Sequence, residues 1–125
     1  TGFKIVMCEH YGFEPNEIRL LNMFLRQLGF EVTAMTAEQH DRHLAETLFL
    51  THFVGQIVHR GGFNRTEIDS VSFRNLMNAV ESVSKDTKLF EEVYEFLPEE
   101  CEAVIKRYEE ATRRTHELLG RMKAA

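Results

Sequence analysis

The stretch from Leu48 to Val58 constrains the fold more than any other, because its apolar side chains point to nearly every side of a helix. The apolar residues in it are Leu48, Phe49, Leu50, Phe53, Val54, Ile57 and Val58. A helix that is apolar all round is normally surrounded by other parts of the protein. We therefore expect this helix to lie in the middle of a helical assembly.

A narrow polar stripe interrupts this apolar surface. At about 100° per residue, a continuous α-helix places the members of the stripe within about 60° of one another. They are Asp41, Ala45, His52, Gln56 and His59. Buried polar side chains need a hydrogen-bonding partner, which can be protein, water or a ligand. The pattern leaves two interpretations of His52 open: a core histidine bonded to a neighbour, or a histidine that faces a ligand.

The residues before this helix follow a strand–helix–strand pattern. Residues 3–8 (FKIVMC) and 30–35 (FEVTAM) are rich in strand formers, and a polar loop over residues 9–16 follows the first of them. Residues 16–28 carry apolar side chains at helical spacing and precede Gly29, a typical helix end. Two strands and one helix cannot close a sheet alone. The pattern therefore predicts the terminal β-α-β piece of a larger α/β layer.

From Thr36 onward the sequence predicts helices only. Thr36 and Gln39 have the spacing of a capping box, which opens a long helix that runs to about Arg60 and ends at Gly61-Gly62. Further helices are predicted over residues 70–84, 87–97 and 99–119. The chain is thus predicted to be mainly α, with residues 1–36 ending one domain and residues 37–125 forming an all-helical domain.

The last two predicted helices have clear boundaries: Asp86 caps one, and Gly120 ends the other. The last helix carries a seam in which the spacing alternates between three and four residues, as in helices that pack against another helix. The seam consists of Cys101, Val104, Tyr108, Ala111, Thr115 and Leu118, and i,i+4 charge pairs are expected outside it for Glu102–Lys106, Glu109–Arg113 and Glu110–Arg114. Four helices of this length cannot cover both this seam and the all-round apolar helix. A homodimer is therefore predicted.

Composition and motifs exclude several classes of function. Charged residues make up 28% of the 125 residues, with a net charge of −5 and both signs interleaved, which disfavours a nucleic-acid binder. No apolar run approaches the roughly 18 residues of a membrane span. The two cysteines indicate free thiols in a reducing compartment, with the cytoplasm as the default location. His40-x-x-His43 lacks further metal ligands, so no metal site is expected, and no catalytic residue is predicted in this chain.

The segment MTAEQHDRHLAETLFLTHFVGQIV, residues 35–58, resembles the start of the helical domain in the prephenate/arogenate dehydrogenase family. The matching elements are Met35-Thr36, His40-Asp41 and Thr51-His52. Residues 68–97 resemble the family as well, and the likeness covers essentially the whole chain. The Phe49-x-Thr51-His52 ending is most similar to the plant-like arogenate branch.

This resemblance implies an NAD(P)-dependent oxidative decarboxylation in tyrosine biosynthesis. Residues 1–36 would end the dinucleotide-binding domain, and NAD or NADP would be bound by the N-terminal part of that domain, upstream of residue 1. Residues 37–125 would form the helical dimerisation and substrate-binding domain. His52 would donate a hydrogen bond to the substrate, and Gln56, on the same stripe, would be a second substrate-binding residue. The chain alone is expected to be inactive, and a plastid is the expected location if the source is a plant.

The sequence departs from the family pattern at one position. Many members have a substrate-binding arginine five residues before the linker residue that corresponds to Asp86, and here that position is Glu81. Arg74 and Lys85 are the nearest basic candidates. If Glu81 faces the substrate pocket, its carboxylate favours the ammonium group of arogenate over the keto group of prephenate, and Glu81 is on this interpretation a substrate-binding residue. The other interpretation is a solvated glutamate on the face of a helix. The alternative hypothesis is a non-catalytic helical module that dimerises or senses tyrosine.

Overall fold

The computed structural model describes residues 3–8 and 14–124, which form a mainly helical chain with one small sheet. The elements are β1 (Lys4–Cys8), α1 (Pro15–Gln27), β2 (Glu31–Met35), α2 (Ala37–Leu44), a π-helical segment (Ala45–Phe49), α3 (Leu50–Arg60), α4 (Val71–Ser84), α5 (Thr87–Phe96) and α6 (Pro98–Ala124). The contacts divide the chain into two compact units, Thr1–His43 and Leu44–Ala125. Most of the predicted loop over residues 9–16 lies outside the described residues.

The first unit contains the predicted β-α-β pattern. β1 and β2 pair in parallel, in a register that runs from Lys4 opposite Glu31 to Cys8 opposite Met35. α1 begins with Pro15, whose ring suits the first turn of a helix, and Gly29 follows its end with a φ of 91°. No residue of α1 is buried, and four of its apolar side chains are exposed: Leu20, Leu21, Met23 and Phe24.

The predicted capping box at the start of α2 is confirmed. The backbone N–H of Gln39 donates to Thr36 Oγ1 at 3.1 Å, and the backbone N–H of Thr36 donates to Gln39 Oε1 at 3.1 Å. Both bonds satisfy amide groups that a helix start leaves without a partner.

The expectation of an uninterrupted α-helix over residues 36–60 is wrong at Ala45–Phe49, where the backbone is π-helical. A π-turn contains an extra residue, so the assumed 100° per residue does not hold across it. The five-residue polar stripe therefore does not exist as one straight line. Only His52, Gln56 and His59 keep the predicted positions on one face of a helix, because all three lie on α3.

The core of the second unit forms where the π-helical segment meets α5 and α6. Its buried residues are Ala45, Phe49, Val93, Cys101 and Val104. The ring of Phe49 stacks on Phe90 at a centroid distance of 5.3 Å and on Phe53 at 5.8 Å. Burial raises the pKa of the Cys101 thiol to about 11. In the single chain α3 is not buried on every side, because Ile57 is 39% exposed. Its burial within a larger assembly stays a prediction.

α3 and α4 approach each other closely at Gly55. A Cβ atom at this position would lie 2.4 Å from Val83 Cγ2, so only glycine fits without movement of Val83. The predicted cap of α5 is confirmed, because Asp86 Oδ1 accepts the N–H of Leu89 at 3.0 Å. α4 is capped as well, by Ser70 Oγ, which accepts the N–H of Phe73.

The prediction that Gly120 ends the last helix is wrong, because α6 continues to Ala124. A glycine ends a helix when its backbone adopts the left-handed conformation, and Gly120 has helical backbone instead. Only the first half of α6 is packed. Cys101 and Val104 are buried, whereas every residue from Glu109 to Ala124 is exposed.

Candidate functional site

His52 lies in the first turn of α3 and is almost completely buried, at 4% exposure. Its ring is nearly parallel to that of Phe90 on α5, at a centroid distance of 6.5 Å and an angle of 12°. Its Nδ1 atom has no hydrogen-bond partner among the described residues. The imidazole is thus held by apolar packing, while one of its polar atoms is unused.

An unused polar atom in a buried position is unusual. More than 90% of buried polar groups in proteins are hydrogen-bonded, and leaving one without a partner costs about 1–3 kcal/mol. The interpretation of His52 as a core histidine bonded to a neighbour through Nδ1 finds no such neighbour in the described part of the chain. The interpretation as a ligand-facing histidine stays a prediction.

Gln56 lies one turn further along the same face of α3 and is 5% exposed. Its Nε2 donates to the backbone carbonyl of Ser84 at 3.2 Å. Ser84 is the last residue of α4, where backbone carbonyls have no partner within the helix. Gln56 therefore links α3 to the end of α4. Because a side-chain amide has two N–H groups and a carbonyl oxygen, this bond does not use up its capacity.

Glu81 lies on an exposed face of α4, where both of its carboxylate oxygens bind Arg65. Arg65 Nε is 2.7 Å from Oε1, and Arg65 Nη2 is 3.0 Å from Oε2. The same Nη2 also donates to Asn78 Oδ1 at 2.8 Å. The hydrogen bond and the positive charge of Arg65 lower the pKa of Glu81. Its charge is thus compensated within the chain, and its assignment to the substrate site stays a prediction.

Arg65 is the residue that sequence reasoning missed. It belongs to the connection between α3 and α4, and neither Arg74 nor Lys85, the basic candidates weighed from the sequence, makes this bond. No local motif links positions 65 and 81, which are sixteen residues apart and meet only in the folded chain.

The His40 and His43 candidates for metal binding lie on α2. His40 Nδ1 is 3.3 Å from Asp41 Oδ1, its neighbour in sequence. Within residues 3–8 and 14–124, no three histidine, cysteine, aspartate or glutamate side chains lie close enough together to hold a metal ion. His40 and Asp41 lie in the middle of α2.

Comparison with known proteins shows that this chain is similar to two arogenate dehydrogenases. No family model matches it. Arogenate dehydrogenase 1, chloroplastic, from Arabidopsis thaliana is 31% identical over 67 residues, which are 54% of this chain and 10% of that protein. Arogenate dehydrogenase 2, chloroplastic, from Arabidopsis thaliana is 28% identical over 98 residues, which are 75% of this chain and 26% of that protein. The chain is a relative of the arogenate/prephenate dehydrogenases.

The family resemblance stated from the sequence is thereby confirmed. The chain spans about a tenth of the first relative and about a quarter of the second. Among the helices that the structure describes, none is both long and apolar enough to cross a membrane.

Proposed function

We propose that this chain is part of an NAD(P)-dependent dehydrogenase that acts on arogenate or prephenate by oxidative decarboxylation. In this proposal, Leu44–Ala125 supplies the dimer interface and one wall of the substrate site. The relationship to two arogenate dehydrogenases supports the reaction class. The single observation in the structure that supports a substrate site is the buried Nδ1 atom of His52 without a partner.

His52 is proposed to bind an oxygen atom of the substrate. A neutral imidazole has one N–H donor and one acceptor nitrogen, so Nδ1 can donate to a carboxylate or exchange a hydrogen bond with a hydroxyl. Phe90 packs parallel to the ring and would fix its orientation. Such a fixed donor positions a substrate and does not itself need to change its protonation state. We therefore assign His52 to binding and leave the proton transfer to another part of the enzyme.

The first unit is proposed to belong to a larger Rossmann-type sheet. β1 and β2 are parallel and joined through α1, which is the repeating unit of such sheets. A glycine-rich G-x-G-x-x-G loop, which would cradle a dinucleotide, does not occur in these 125 residues. The residues present therefore do not fit a complete cofactor site. The proposal assigns dinucleotide binding to another part of the intact enzyme.

The proposal is tested by replacing His52 in the intact enzyme. We expect His52→Ala to weaken substrate binding by about 10- to 150-fold, since a hydrogen bond to a charged group contributes roughly 1.5–3 kcal/mol. His59→Ala is the matched control, because His59 lies on the same helix and is exposed. KM, kcat and the melting temperature would be measured for both variants. If His52→Ala unfolds the protein while the folded fraction keeps its affinity, His52 is a structural histidine and the assignment is wrong.

A further inference from the structure

Four aromatic rings form a column that has the imidazole of His52 at one end. In order along this ring column, they belong to Phe53, Phe49, Phe90 and His52. Successive ring centroids are 5.8, 5.3 and 6.5 Å apart, and successive ring planes differ by 17°, 13° and 12°. Such distances with nearly parallel planes are typical of offset stacking. Each ring therefore restricts the rotation of its neighbour, and the restriction extends to the imidazole.

The π-helical segment Ala45–Phe49 supplies a central ring of the column, that of Phe49. The backbone N–H of Leu50 donates to the carbonyls of Ala45 and Thr47, whereas a regular α-helix uses the carbonyl four residues back. Wide turns of this kind inside helices are frequent at functional sites. The Phe49 side chain is only 1% exposed. The wide turn therefore holds one ring of the column in the core, directly before the helix that carries the imidazole.

The ring column determines the direction in which His52 can form a hydrogen bond. The N–H or lone pair of an imidazole nitrogen lies in the plane of the ring, so a partner of Nδ1 has to lie close to that plane. This plane is within 12° of the plane of the Phe90 ring. Nδ1 is buried and has no partner among the described residues. Its bonding direction is therefore fixed parallel to Phe90, and an oxygen above or below the imidazole would be poorly placed to bind.

We propose that Phe90 is a positioning residue for substrate binding. Its ring, which is itself held by Phe49, keeps the plane of the His52 imidazole fixed, so that Nδ1 meets an oxygen of the substrate in one direction only. The inference rests on the proposed function, because it assumes that His52 binds the substrate. Phe90 need not touch the substrate. A side chain that is already ordered loses little conformational entropy when a ligand binds, so the fixed imidazole binds more tightly than a mobile one.

The other end of the ring column offers a matched control for a purely structural role. Phe53 and Phe90 are both half-buried, both stack on Phe49, and both pack against the same core cluster. Loss of either ring should therefore lower the melting temperature to a similar extent. Of the two, Phe90 is the one that stacks on His52. A positioning role thus predicts that substrate binding responds to the loss of Phe90 and does not respond to the loss of Phe53.

Variants of the intact enzyme test the proposal through KM, kcat and the melting temperature. Phe90→Leu removes the ring and is expected to raise KM by roughly 3- to 10-fold, with kcat nearly unchanged, as for a loss of binding alone. Phe90→Met takes its place if the leucine variant does not fold. Phe90→Tyr keeps the ring and should keep the wild-type KM, because Phe90 lines a groove with room for a hydroxyl. Phe53→Leu should leave KM unchanged. Equal KM values for Phe90→Leu and Phe53→Leu would overturn the proposal.

A double-mutant cycle shows whether Phe90 acts through His52. The variant that combines His52→Ala with Phe90→Leu should have the same KM as His52→Ala alone, because the ring that Phe90 positions is already absent. Increases in KM that multiply in the double variant would show an independent effect of Phe90 and would overturn the proposal. The single variants separate this inference from the proposed function. If His52→Ala binds substrate like the wild type, the substrate-site assignment itself fails. If His52→Ala weakens binding and Phe90→Leu does not, the positioning role alone fails.

Discussion

Arg65 holds both carboxylate oxygens of Glu81, with Nε 2.7 Å from Oε1 and Nη2 3.0 Å from Oε2. The position that carries a substrate-binding arginine in many family members thus has a glutamate here, but a guanidinium from another part of the chain lies beside it. Any effect of Glu81 on substrate choice therefore has to act against the nearby positive charge of Arg65.

Substrate preference provides the first prediction. We expect the intact enzyme to have a higher kcat/KM for arogenate than for prephenate, because a carboxylate at position 81 favours the ammonium group of arogenate. Arg65→Gln should widen this difference, since it removes the charge that compensates Glu81. Glu81→Arg should narrow the difference between the two kcat/KM values. Arg74→Gln is the control, because Arg74 is also an exposed arginine of the same unit.

The comparison of the two substrates decides this point. If Arg65→Gln and Glu81→Arg both leave the ratio of the two kcat/KM values unchanged, Glu81 is a surface residue that ties the α3–α4 connection to α4. A wild-type preference for prephenate would contradict the specificity prediction and leave the family relationship in place.

The close approach of α3 and α4 provides the second prediction. Gly55→Ala should lower the free energy of unfolding by about 1–3 kcal/mol, because the added Cβ would lie 2.4 Å from Val83 Cγ2. Val83→Ala in the same chain should restore part of the loss by removing the clashing methyl group. Gly120→Ala is the control, and it should raise stability by up to about 1 kcal/mol, since alanine favours a helix more than glycine does. Urea unfolding curves would measure all three effects, and a neutral Gly55→Ala would contradict the helix packing described here.

The two thiols should differ strongly in reactivity. Burial raises the pKa of Cys101 to about 11, so this thiol is protonated at pH 8 and also inaccessible. Iodoacetamide at pH 8 should modify Cys8 rapidly and Cys101 only on the timescale of unfolding. Burial of Cys101 raises the pKa of its thiol in the folded state. The contribution of this protonated thiol to the free energy of unfolding is therefore fully present below the ordinary pKa of about 9 and is lost as the pH rises through about 11. Peptide mass analysis would locate the label. Rapid labelling of Cys101 in the native protein would contradict its burial in the core.

The fourth prediction concerns dinucleotide binding by the chain alone, which a titration with NAD⁺ or NADP⁺ measures. The 125-residue chain should give a flat calorimetric trace and show no dehydrogenase activity, because it has no glycine-rich loop after a strand. The intact enzyme is the positive control. Binding at low micromolar affinity by the chain itself would show that the cofactor site has been assigned to the wrong part of the enzyme.

The features that the sequence predicted well are those set by near neighbours. Thr36 and Gln39 cap each other across three residues, and Asp86 caps α5 in the same local way. Such bonds depend only on residue type and spacing. The strand–helix–strand order was also predictable, because two short runs suited to strands flank a segment with helical spacing.

The features that the sequence did not predict depend on distant packing. The π-helical turn at Ala45–Phe49 fits two fully buried side chains into the core, and the letters AETLF contain no signal for it. Gly120 resembles a helix end in sequence, yet continues the helix in an exposed segment, where glycine costs up to about 1 kcal/mol relative to alanine. At the candidate site, the stripe predicted His52 and Gln56, whereas the bond between Arg65 and Glu81 required the three-dimensional fold.

The two-stranded sheet of the first unit has a consequence for how the chain behaves in solution. Within the described residues, β1 and β2 pair only with each other, so each strand has one edge without a neighbouring strand. Open edges recruit strands from other molecules, and the exposed apolar residues of α1 add to this tendency. When the chain is concentrated alone, aggregation should therefore begin at residues 4–8 and 31–35, and a charged residue in place of Val6 should delay it.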